Sequence, residues 1–441
     1  MQKIKYPFLT QDVEVYKRAN GHTIVLAHKE GILANVSTWV KTGSINETDK
    51  NNGISHFLEH LMFKGTHKHK AGEFDRTLEA KGAIVNAATW KDYTFYYVTL
   101  PKGENCCDLN LAIELHADMM LDPVLPYDEI GAPFDVNDPN VTDKRERHVV
   151  IEEIRMRKDQ SWTKVYNTCN FNMYTKHPYK RDVIGTPEII SQLTREDIMD
   201  YYKTFYTPEN MTTIVVGDFN HEEILNKIEK EFDFKDRQNS IKITNEPDMP
   251  VSETKYTEET SHINTSYAMF GWLGPKASDL KETICLDLIS IIFGDGTSSR
   301  LYRNLIEKPE NPVFNMINSE HYQFKDGNNF FIQANFKPER KEEALNLIKE
   351  ELSNLLTVKI TGDELLKAKK KSKSKFAYSA ETVSEIGENI GYFTTVCGDL
   401  KIIEHYLNDL EGITIEDLEN SIRKYLNINN AVISVLVPEK G

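Results

Sequence analysis

Hydrophobic and polar residues in the first half of the chain follow two different periods. Apolar residues alternate with polar ones over 22–28 and 33–42, which predicts strands, whereas the apolar positions of 52–64 recur at the spacing of an amphipathic helix. The same criteria predict the other elements of this half. These are strands near 12–17, 83–100 and 211–217, and helices near 71–81, 105–121, 143–158, 186–191 and 195–205.

The order of these elements favours one fold class. The strands come in runs joined by short polar turns, and the helices between them are not regularly interleaved, as they are in a doubly wound parallel sheet. We therefore predict an α+β fold in which each domain is an antiparallel β-sheet flanked by helices.

Residues 193–217 match residues 413–437 at a constant offset. Thr194 corresponds to Thr414, and each stretch reads as a capped helix followed by a short turn and an apolar strand. An offset of 220 residues, from Thr194 to Thr414, in a chain of 441 indicates two copies of one domain.

The repeat also predicts where the domains begin and end. We predict a catalytic domain over 1–232, a linker of polar and mixed-charge residues over 233–262, and a homologous non-catalytic domain over 263–441. The second copy carries no His or Glu where the first has HFLEH, so we assign the chemistry to the first copy.

Composition and charge exclude some classes of function. The chain has 53 Lys and Arg against 68 Asp and Glu, a net charge of −15, which repels phosphate backbones and argues against a nucleic-acid partner. Its apolar runs fall short of the roughly 20 residues that a membrane span requires. The amino-terminal stretch lacks the apolar region of a signal peptide, which predicts a cytoplasmic protein, or a periplasmic or organellar one if a targeting segment has been removed.

The segment His56-Phe57-Leu58-Glu59-His60 carries the clearest chemical signal. A spacing of four residues puts both imidazoles on one face of a helix, one turn apart, where they can bind one ion. This is the H-x-x-E-H order of the inverzincin peptidases. Two imidazoles and a carboxylate would leave the fourth position of a Zn²⁺ ion to water, and Glu59 is placed to remove the proton of that water.

The third ligand must come from another segment, and the helix RERHVVIEEIRMRKD offers three glutamates. Glu146 and Glu153 are seven residues apart and share a face, whereas Glu152 points about 100° away. We assign Glu153 to the metal. Glu146 is predicted to take part in catalysis as a carboxylate that orients a ligand or the water.

Several motifs together resemble those of a known family. HFLEHLMFKGT, GAIVNAATWKDYTFYY, RERHVVIEEIRM and HPYKRDVIGT are similar to successive signatures of the pitrilysin/insulinase superfamily, in particular the half-length peptidases like the mitochondrial processing peptidase β subunit and its bacterial relatives. The resemblance covers nearly the whole chain. It implies that His56, His60 and Glu153 are zinc ligands, and that a two-domain subunit pairs with a second subunit around a peptide chamber.

The resemblance also implies residues that bind substrate. The strand that carries Asn86 and Ala87 would present its backbone edge to a peptide, and Arg300 in SSRL would hold substrate carbonyls. The tyrosine that usually accompanies this arginine is replaced by Phe314, which suggests that a partner subunit completes the clamp. A Pro-, Asp- and Asn-rich stretch over 126–147 lengthens the gap between His60 and Glu153, and predicts a surface loop that lines the chamber, contacts a partner or has no function.

These observations predict a zinc-dependent endopeptidase that cleaves peptides or unfolded segments inside a closed chamber. It would act as a homodimer, or as a heterodimer with a related half that lacks the metal motif. Two alternatives remain at this stage: a non-catalytic assembly subunit of a related peptidase, and a protein that binds peptides without cleaving them.

Overall fold

The structure is a computed structural model that describes residues 1–138, 145–235, 241 and 243–439. Its strands are β1 (Gln2–Ile4), β2 (Val13–Lys17), β3 (Thr23–His28), β4 (Leu33–Val40), β5 (Ile84–Thr89), β6 (Thr94–Pro101), β7 (Met211–Gly217), β8 (Lys255–Ser261), β9 (Ser266–Leu273), β10 (Phe314–Tyr322), β11 (Asn329–Phe336) and β12 (Val432–Pro438).

Its helices are α1 (Ile54–Met62), α2 (Glu73–Glu79), α3 (Cys107–Leu121), α4 (Tyr127–Ile130), α5 (Glu146–Lys158), α6 (Ser161–Met173), α7 (Pro187–Ile190), α8 (Arg195–Phe205), α9 (His221–Glu231), α10 (Leu280–Phe293), α11 (Arg300–Tyr302), α12 (Lys341–Thr357), α13 (Gly362–Tyr378), α14 (Val383–Tyr392), α15 (Ile402–Gly412) and α16 (Ile415–Tyr425). Among the helices of the described residues, none is both long enough and apolar enough to cross a membrane.

The chain divides into two compact units, and each unit takes a segment from the other half of the sequence. Unit 1 is drawn from 1–155, 182–244 and 377–404, and unit 2 from 156–181, 245–376 and 405–441. The predicted contiguous domains, 1–232 and 263–441, therefore differ from these units by two exchanged segments. One contains α6, and the other contains α14.

Unit 1 contains a sheet with the strand order β1-β2-β3-β7-β4-β6-β5. Its neighbouring strands are antiparallel except β3 and β7, which pair in parallel. The region predicted as one strand over 83–100 forms two, β5 and β6, which pair as a hairpin. The sheet is therefore mixed, and β5 ends the strand order.

Unit 2 contains the sheet β10-β11-β9-β12-β8, with one parallel pair between β12 and β8. The predicted α+β class is confirmed, whereas the prediction of purely antiparallel sheets is wrong in one pair of each sheet. Strand β8 also lies inside 233–262, the stretch predicted as a linker, so the end of that stretch is part of the sheet.

The internal repeat appears as two helix–strand units. The hydroxyl oxygen of Thr194 accepts a hydrogen bond from the Asp197 backbone amide at the start of α8, and Thr414 does the same for Asp417 at the start of α16. Strands β7 and β12 follow these helices. The predicted cap, helix, turn and strand are thus confirmed in both copies.

The exchanged helices pack on the central strands of the two sheets. Helix α14 lies on β4 and β7, where a Cβ added to Gly391 would come within 2.0 Å of the Trp39 ring. Helix α6 lies on β9 and β12, where a Cβ added to Gly271 would come within 2.5 Å of Met173 Sδ. Both contacts require a glycine because backbone and side chain approach without room for another carbon.

The stretch predicted as a surface loop over 126–147 is described in part, because residues 139–144 lie outside the described residues. Its described portion contains α4 and is anchored by Arg147, which is fully buried. The Arg147 guanidinium donates to the carbonyl oxygens of Ser191 at 2.7 Å and Leu193 at 2.5 Å. The end of this stretch is therefore part of the core of unit 1.

Candidate metal centre

Helix α1 has one apolar face, which packs in the core, and one face that carries the two histidines. Ile54, Phe57, Leu58 and Leu61 are fully buried in the core of unit 1, where the helix packs on β5, β6 and α8. The two histidines of the motif lie one turn apart, with their ring centroids 4.7 Å from each other and their planes at 73°. The predicted helix over 52–64 is thus confirmed as Ile54–Met62.

Helix α5 brings a carboxylate to these two rings. Glu153 Oε2 lies 3.6 Å from His56 Nε2 and 3.4 Å from His60 Nε2, and one atom from each of the three residues lies within 4.8 Å of the others. Two atoms bound to one Zn²⁺ at about 2.0–2.1 Å in a tetrahedron are separated by about 3.3–3.4 Å. The donor set and its spacing therefore fit a zinc ion.

Glu146 contacts the other nitrogen of one of these rings. His60 Nδ1 donates to Glu146 Oε1 at 2.8 Å, and Lys64 donates to the second oxygen of the same carboxylate. Such a bond leaves Nε2 of His60 free to face the Glu153 carboxylate and fixes the ring plane. Glu146 thus lies where a ligand-orienting carboxylate is predicted.

The charges around His60 affect its protonation. Burial opposes the protonated form, but hydrogen bonds to Glu146 and Glu153 outweigh it and raise the pKa of His60 to about 9. Burial likewise disfavours ionised Glu146, yet hydrogen bonds from His60 and Lys64 lower the pKa of that carboxyl below its ordinary value. The carboxylates therefore favour a cationic species at the histidines, and a bound divalent ion would take that role.

Glu152 lies on a different face of α5 from Glu153. Its side chain is exposed and accepts a hydrogen bond from Arg155 Nη1 at 2.6 Å. The helical spacing that separates Glu152 from Glu153 in the sequence is therefore reproduced in the structure.

Glu59 is a residue of α1 whose side chain contacts the edge strand of the sheet. It is 9% exposed, and the hydroxyl of Thr89 donates a short hydrogen bond to its Oε2. Thr89 is the last residue of β5, so this contact fixes the carboxylate relative to the edge strand. The sequence carries no local signal for this role of Thr89, because it is a threonine at the end of a strand like many others.

The two substrate-binding residues predicted in the first half lie on this edge strand. Asn86 is exposed on β5, and the backbone amide of Ala87 donates to Asn86 Oδ1 at 2.9 Å. Because β5 ends the strand order of its sheet, its outer edge is available for pairing within the described part of unit 1.

Arg300, predicted to hold substrate carbonyls, is engaged by groups of its own unit. Its guanidinium forms a bidentate ion pair with Glu364, through Nε and Nη2 at 2.8 Å each. It also donates hydrogen bonds to the backbone carbonyls of Val358 and Lys359. Four of its N–H groups are thus used within unit 2. These contacts compete with substrate for the guanidinium, and the role of Arg300 in binding substrate carbonyls stays a prediction.

Phe314 is also a core residue. Its ring is 3% exposed and meets the ring of Phe336 edge to face, at 6.2 Å between centroids. A tyrosine hydroxyl at this position would extend from a ring that is packed in the interior. The structure therefore gives no reason to expect that a Tyr at 314 restores a substrate clamp.

Sequence models of one peptidase family match both halves of the chain. Residues 23–186 match the model described as insulinase (peptidase family M16), and residues 192–372 match the model described as the peptidase M16 inactive domain. The first match contains all three predicted metal ligands and Glu59. The second covers most of the half in which no metal motif is found.

Individual proteins are similar over nearly their whole length. Zinc protease PqqE of Helicobacter pylori is 30% identical over 432 residues, which cover 94% of this chain and 90% of that protein. The uncharacterized zinc protease YmxG of Bacillus subtilis is 25% identical over 97% of this chain and 98% of its own.

Solved structures have the same fold. The crystal structure of a protease from Helicobacter pylori superposes with a TM-score of 0.84 and 26% identity, over 97% of this chain and 99% of the other. A peptidase M16 inactive domain from Pseudomonas fluorescens reaches a TM-score of 0.86 at 17% identity, which supports the fold alone.

Proposed function

We propose that this chain, which belongs to the insulinase family (peptidase family M16), is a zinc-dependent endopeptidase whose metal ligands are His56, His60 and Glu153. The observation that carries the proposal is the convergence of the two imidazoles with Glu153, at spacings that suit one tetrahedral ion. The family and the zinc proteases among its relatives support the same reaction class.

The surrounding residues supply the remaining chemistry. Zinc, when bound, would lower the pKa of a water to about 7 and polarise a peptide carbonyl. Glu59 would accept the proton of the attacking water, and its hydrogen bond from Thr89 would hold the carboxylate in the orientation for that transfer. Glu146 would keep His60 in the tautomer whose Nε2 faces the metal.

The proposed substrates are peptides and unfolded segments. A peptide that adds to the outer edge of β5 would be recognised mainly through its backbone, so extended chains of many sequences would bind. In the proposed reaction a bound chain runs along β5 past Thr89, the residue that holds Glu59. Addition of a strand would compete with the hydrogen bond between Ala87 and Asn86.

A peptidase assay with metal removal tests this function. The purified chain should contain zinc, cleave an unstructured peptide library, lose activity with a chelator and regain it with zinc. The Glu59→Gln variant should retain zinc but lose roughly two to four orders of magnitude in turnover, the usual contribution of a positioned general base. Near-normal hydrolysis by that variant would contradict the role of Glu59.

The proposed assembly is a dimer, either of two copies or with a related half that lacks the metal motif. We propose that two subunits enclose the substrate in a closed chamber. Light scattering combined with peptidase assays of the same fractions tests this. A monodisperse monomer with full activity would contradict the need for a second subunit.

A second candidate function is a peptide-binding or assembly subunit without hydrolytic activity. It is favoured by Arg300 and Phe314, which are engaged inside unit 2 and leave the expected substrate clamp incomplete in this chain. The two functions differ in one measurement. A chain that binds zinc and peptide with no cleavage, alone or with its partner, would be a binding subunit.

A further inference from the structure

A buried carboxylate lies at the amino end of the metal-site helix. Glu47 is 4% exposed and accepts four hydrogen bonds from residues around the start of α1. Its Oε1 accepts from the backbone amide and the hydroxyl of Ser55, at 3.0 and 2.6 Å. Its Oε2 accepts from the backbone amide of Gly53 and from Asn52 Nδ2, at 2.8 and 2.7 Å.

These bonds replace a cap that the helix itself lacks. The residue that precedes helix α1 is Gly53, which has a φ of 94° and no side chain that could cap the helix. The first amides of a helix have no partner within the helix, and a negative charge near them is favourable. Burial raises the pKa of Glu47, but all four neighbours donate to its oxygens, so the ionised carboxylate is the form that fits them. Its contacts with Ser55 hold the residue that directly precedes His56.

The segment that carries Glu47 is also bonded to the end of the edge strand. The amides of Ser44 and Ile45 donate to the carbonyl oxygens of Trp90 and Lys91, at 3.3 and 2.9 Å. Trp90 and Lys91 directly follow β5. The segment 44–47 therefore connects the first turn of α1 to the strand proposed to bind peptide.

The charge of Glu47 has a cation in its surroundings. The Lys91 side chain is 1% exposed, and its ammonium group interacts with the carboxylates of Asp182, Asp92 and Glu47. A second contact stabilises the same turn, since the hydroxyl groups of Ser55 and Tyr201 lie 2.8 Å apart. The first turn of α1 is thus held by a buried polar network in which several donors converge on one carboxylate.

We propose that Glu47 is a positioning residue for the metal centre, which fixes the first turn of α1, and with it His56, relative to strand β5. The inference rests on the proposed zinc site. It requires a carboxylate rather than any polar group, because two donors converge on each oxygen. In a glutamine, one of these oxygens becomes an NH₂ group that faces two donors, and both hydrogen bonds are lost.

The Glu47→Gln substitution tests the positioning role, because it replaces the carboxylate by an amide of nearly the same volume. We expect the zinc dissociation constant to rise about tenfold to a hundredfold, the usual effect of disturbing a group that orients a ligand. The absorption spectrum of the cobalt-substituted protein should change, because it reports ligand geometry directly. The value of kcat should fall while KM for peptide stays within about twofold, since the backbone edge of β5 is intact.

A control variant separates positioning from general loss of stability. Glu351 is a buried glutamate of α12 in unit 2, and it accepts hydrogen bonds from Asn304 and Asn354 at 2.9 and 3.2 Å. Glu351→Gln should lower Tm, yet leave the zinc dissociation constant and the cobalt spectrum unchanged. If Glu47→Gln does not fold, Ser55→Ala removes one of the four donors and should give a smaller change in the same direction.

The outcomes distinguish this inference from the proposed function. If the wild-type chain binds zinc and cleaves peptide but Glu47→Gln matches it in zinc affinity, cobalt spectrum and kcat, the positioning role is wrong and the proposed function stands. If Glu47→Gln changes Tm alone, the role is structural and the inference is overturned. If the wild-type chain binds no zinc, the proposed function and this inference both fail.

Discussion

Three glutamates lie around the two histidines of α1, and different neighbours hold each of them. Glu153 faces one nitrogen of each ring, Glu146 accepts hydrogen bonds from a ring and from Lys64, and Glu59 accepts one from Thr89. The residue type is the same in each case. The neighbours that fix each carboxylate decide whether it is suited to bind a metal, orient a ligand or accept a proton.

Glu153 and Glu152 allow a direct test of the proposed ligand, because they are adjacent and take the same substitution. Glu153→Gln should reduce zinc affinity by more than about 100-fold, since it removes a charged ligand rather than a group that supports one. Glu152→Gln should retain full zinc, because that side chain pairs with Arg155 at the surface. Elemental analysis after dialysis measures both, and full zinc in Glu153→Gln with loss in Glu152→Gln would reverse the assignment.

The hydroxyl of Thr89 gives a second test at this scale. Thr89→Val keeps the shape of the side chain but removes the donor to Glu59, and a hydrogen bond to a charged group contributes about 1.5–3 kcal/mol. We expect kcat to fall about 10-fold to 100-fold with zinc content unchanged. Thr99→Val on β6 is the matched control, because the Thr99 hydroxyl accepts from Asn35 and not from Glu59. Equal kcat values for the two variants would exclude the proposed role of Thr89.

At the scale of elements, features that depend on neighbouring residues could be predicted from the sequence, whereas features that depend on long-range contacts could not. The period of residues 52–64 predicted α1 and the shared face of its histidines, because a helix repeats within a few residues. The parallel pairing of β3 with β7 was missed, because it joins strands almost two hundred residues apart. The ion pair of Arg300 was missed for a similar reason, since its partner Glu364 lies 64 residues further along the chain.

The ion pair between Arg300 of α11 and Glu364 of α13 predicts how the stability of unit 2 depends on pH. Hydrogen bonding to Arg300 lowers the pKa of Glu364 from 4.5 to about 2. A lowered pKa in the folded state gives stability that is present above the unfolded value, 4.5, and is lost as the pH falls towards 2. Glu364→Gln should therefore reduce the free energy of unfolding at pH 7 by about 1–2 kcal/mol, because the group is partly screened by solvent.

Urea denaturation at several pH values measures this effect. The difference between the wild type and Glu364→Gln should narrow as the pH falls below 4.5, because the Glu364 carboxyl then binds a proton in the unfolded chain and stays ionised in the folded one until the pH approaches 2. Glu343→Gln is the control, since Glu343 pairs with Arg340 on the exposed side of α12 and should change stability little. A difference that stays constant down to pH 3 would show that the charge of Glu364 does not stabilise the fold.

At the scale of the whole molecule, the repeat was visible in the sequence and the exchange of segments was not. The capped helices that start after Thr194 and Thr414 indicate two copies of one domain, because a capping signal lies within a few neighbouring residues. The helices that change units, α6 and α14, carry apolar residues as any packed helix does. The apolar pattern of a helix does not indicate on which of two sheets the helix will pack. The sequence therefore predicted domains that are contiguous along the chain.

The exchange predicts that the two halves of the chain do not fold separately. A fragment of residues 1–235 lacks α14, which covers β4 and β7 in unit 1, and it keeps α6 without the strands β9 and β12 on which that helix packs. Both defects expose apolar surface, at a cost of about 25 cal/mol for each Å². We therefore expect this fragment to aggregate or to bind zinc much more weakly than the full chain.

Co-expression with the complementary fragment, residues 243–441, should restore what neither fragment has alone. Each fragment then supplies the segment that the other lacks, so the two should purify together and bind zinc with an affinity within about tenfold of the full chain. Gly391→Leu in the second fragment is the matched control, because its side chain would overlap the Trp39 ring and prevent α14 from docking. A fragment of residues 1–235 that is monomeric, folded and zinc-bound by itself would show that unit 1 does not depend on the exchanged helix.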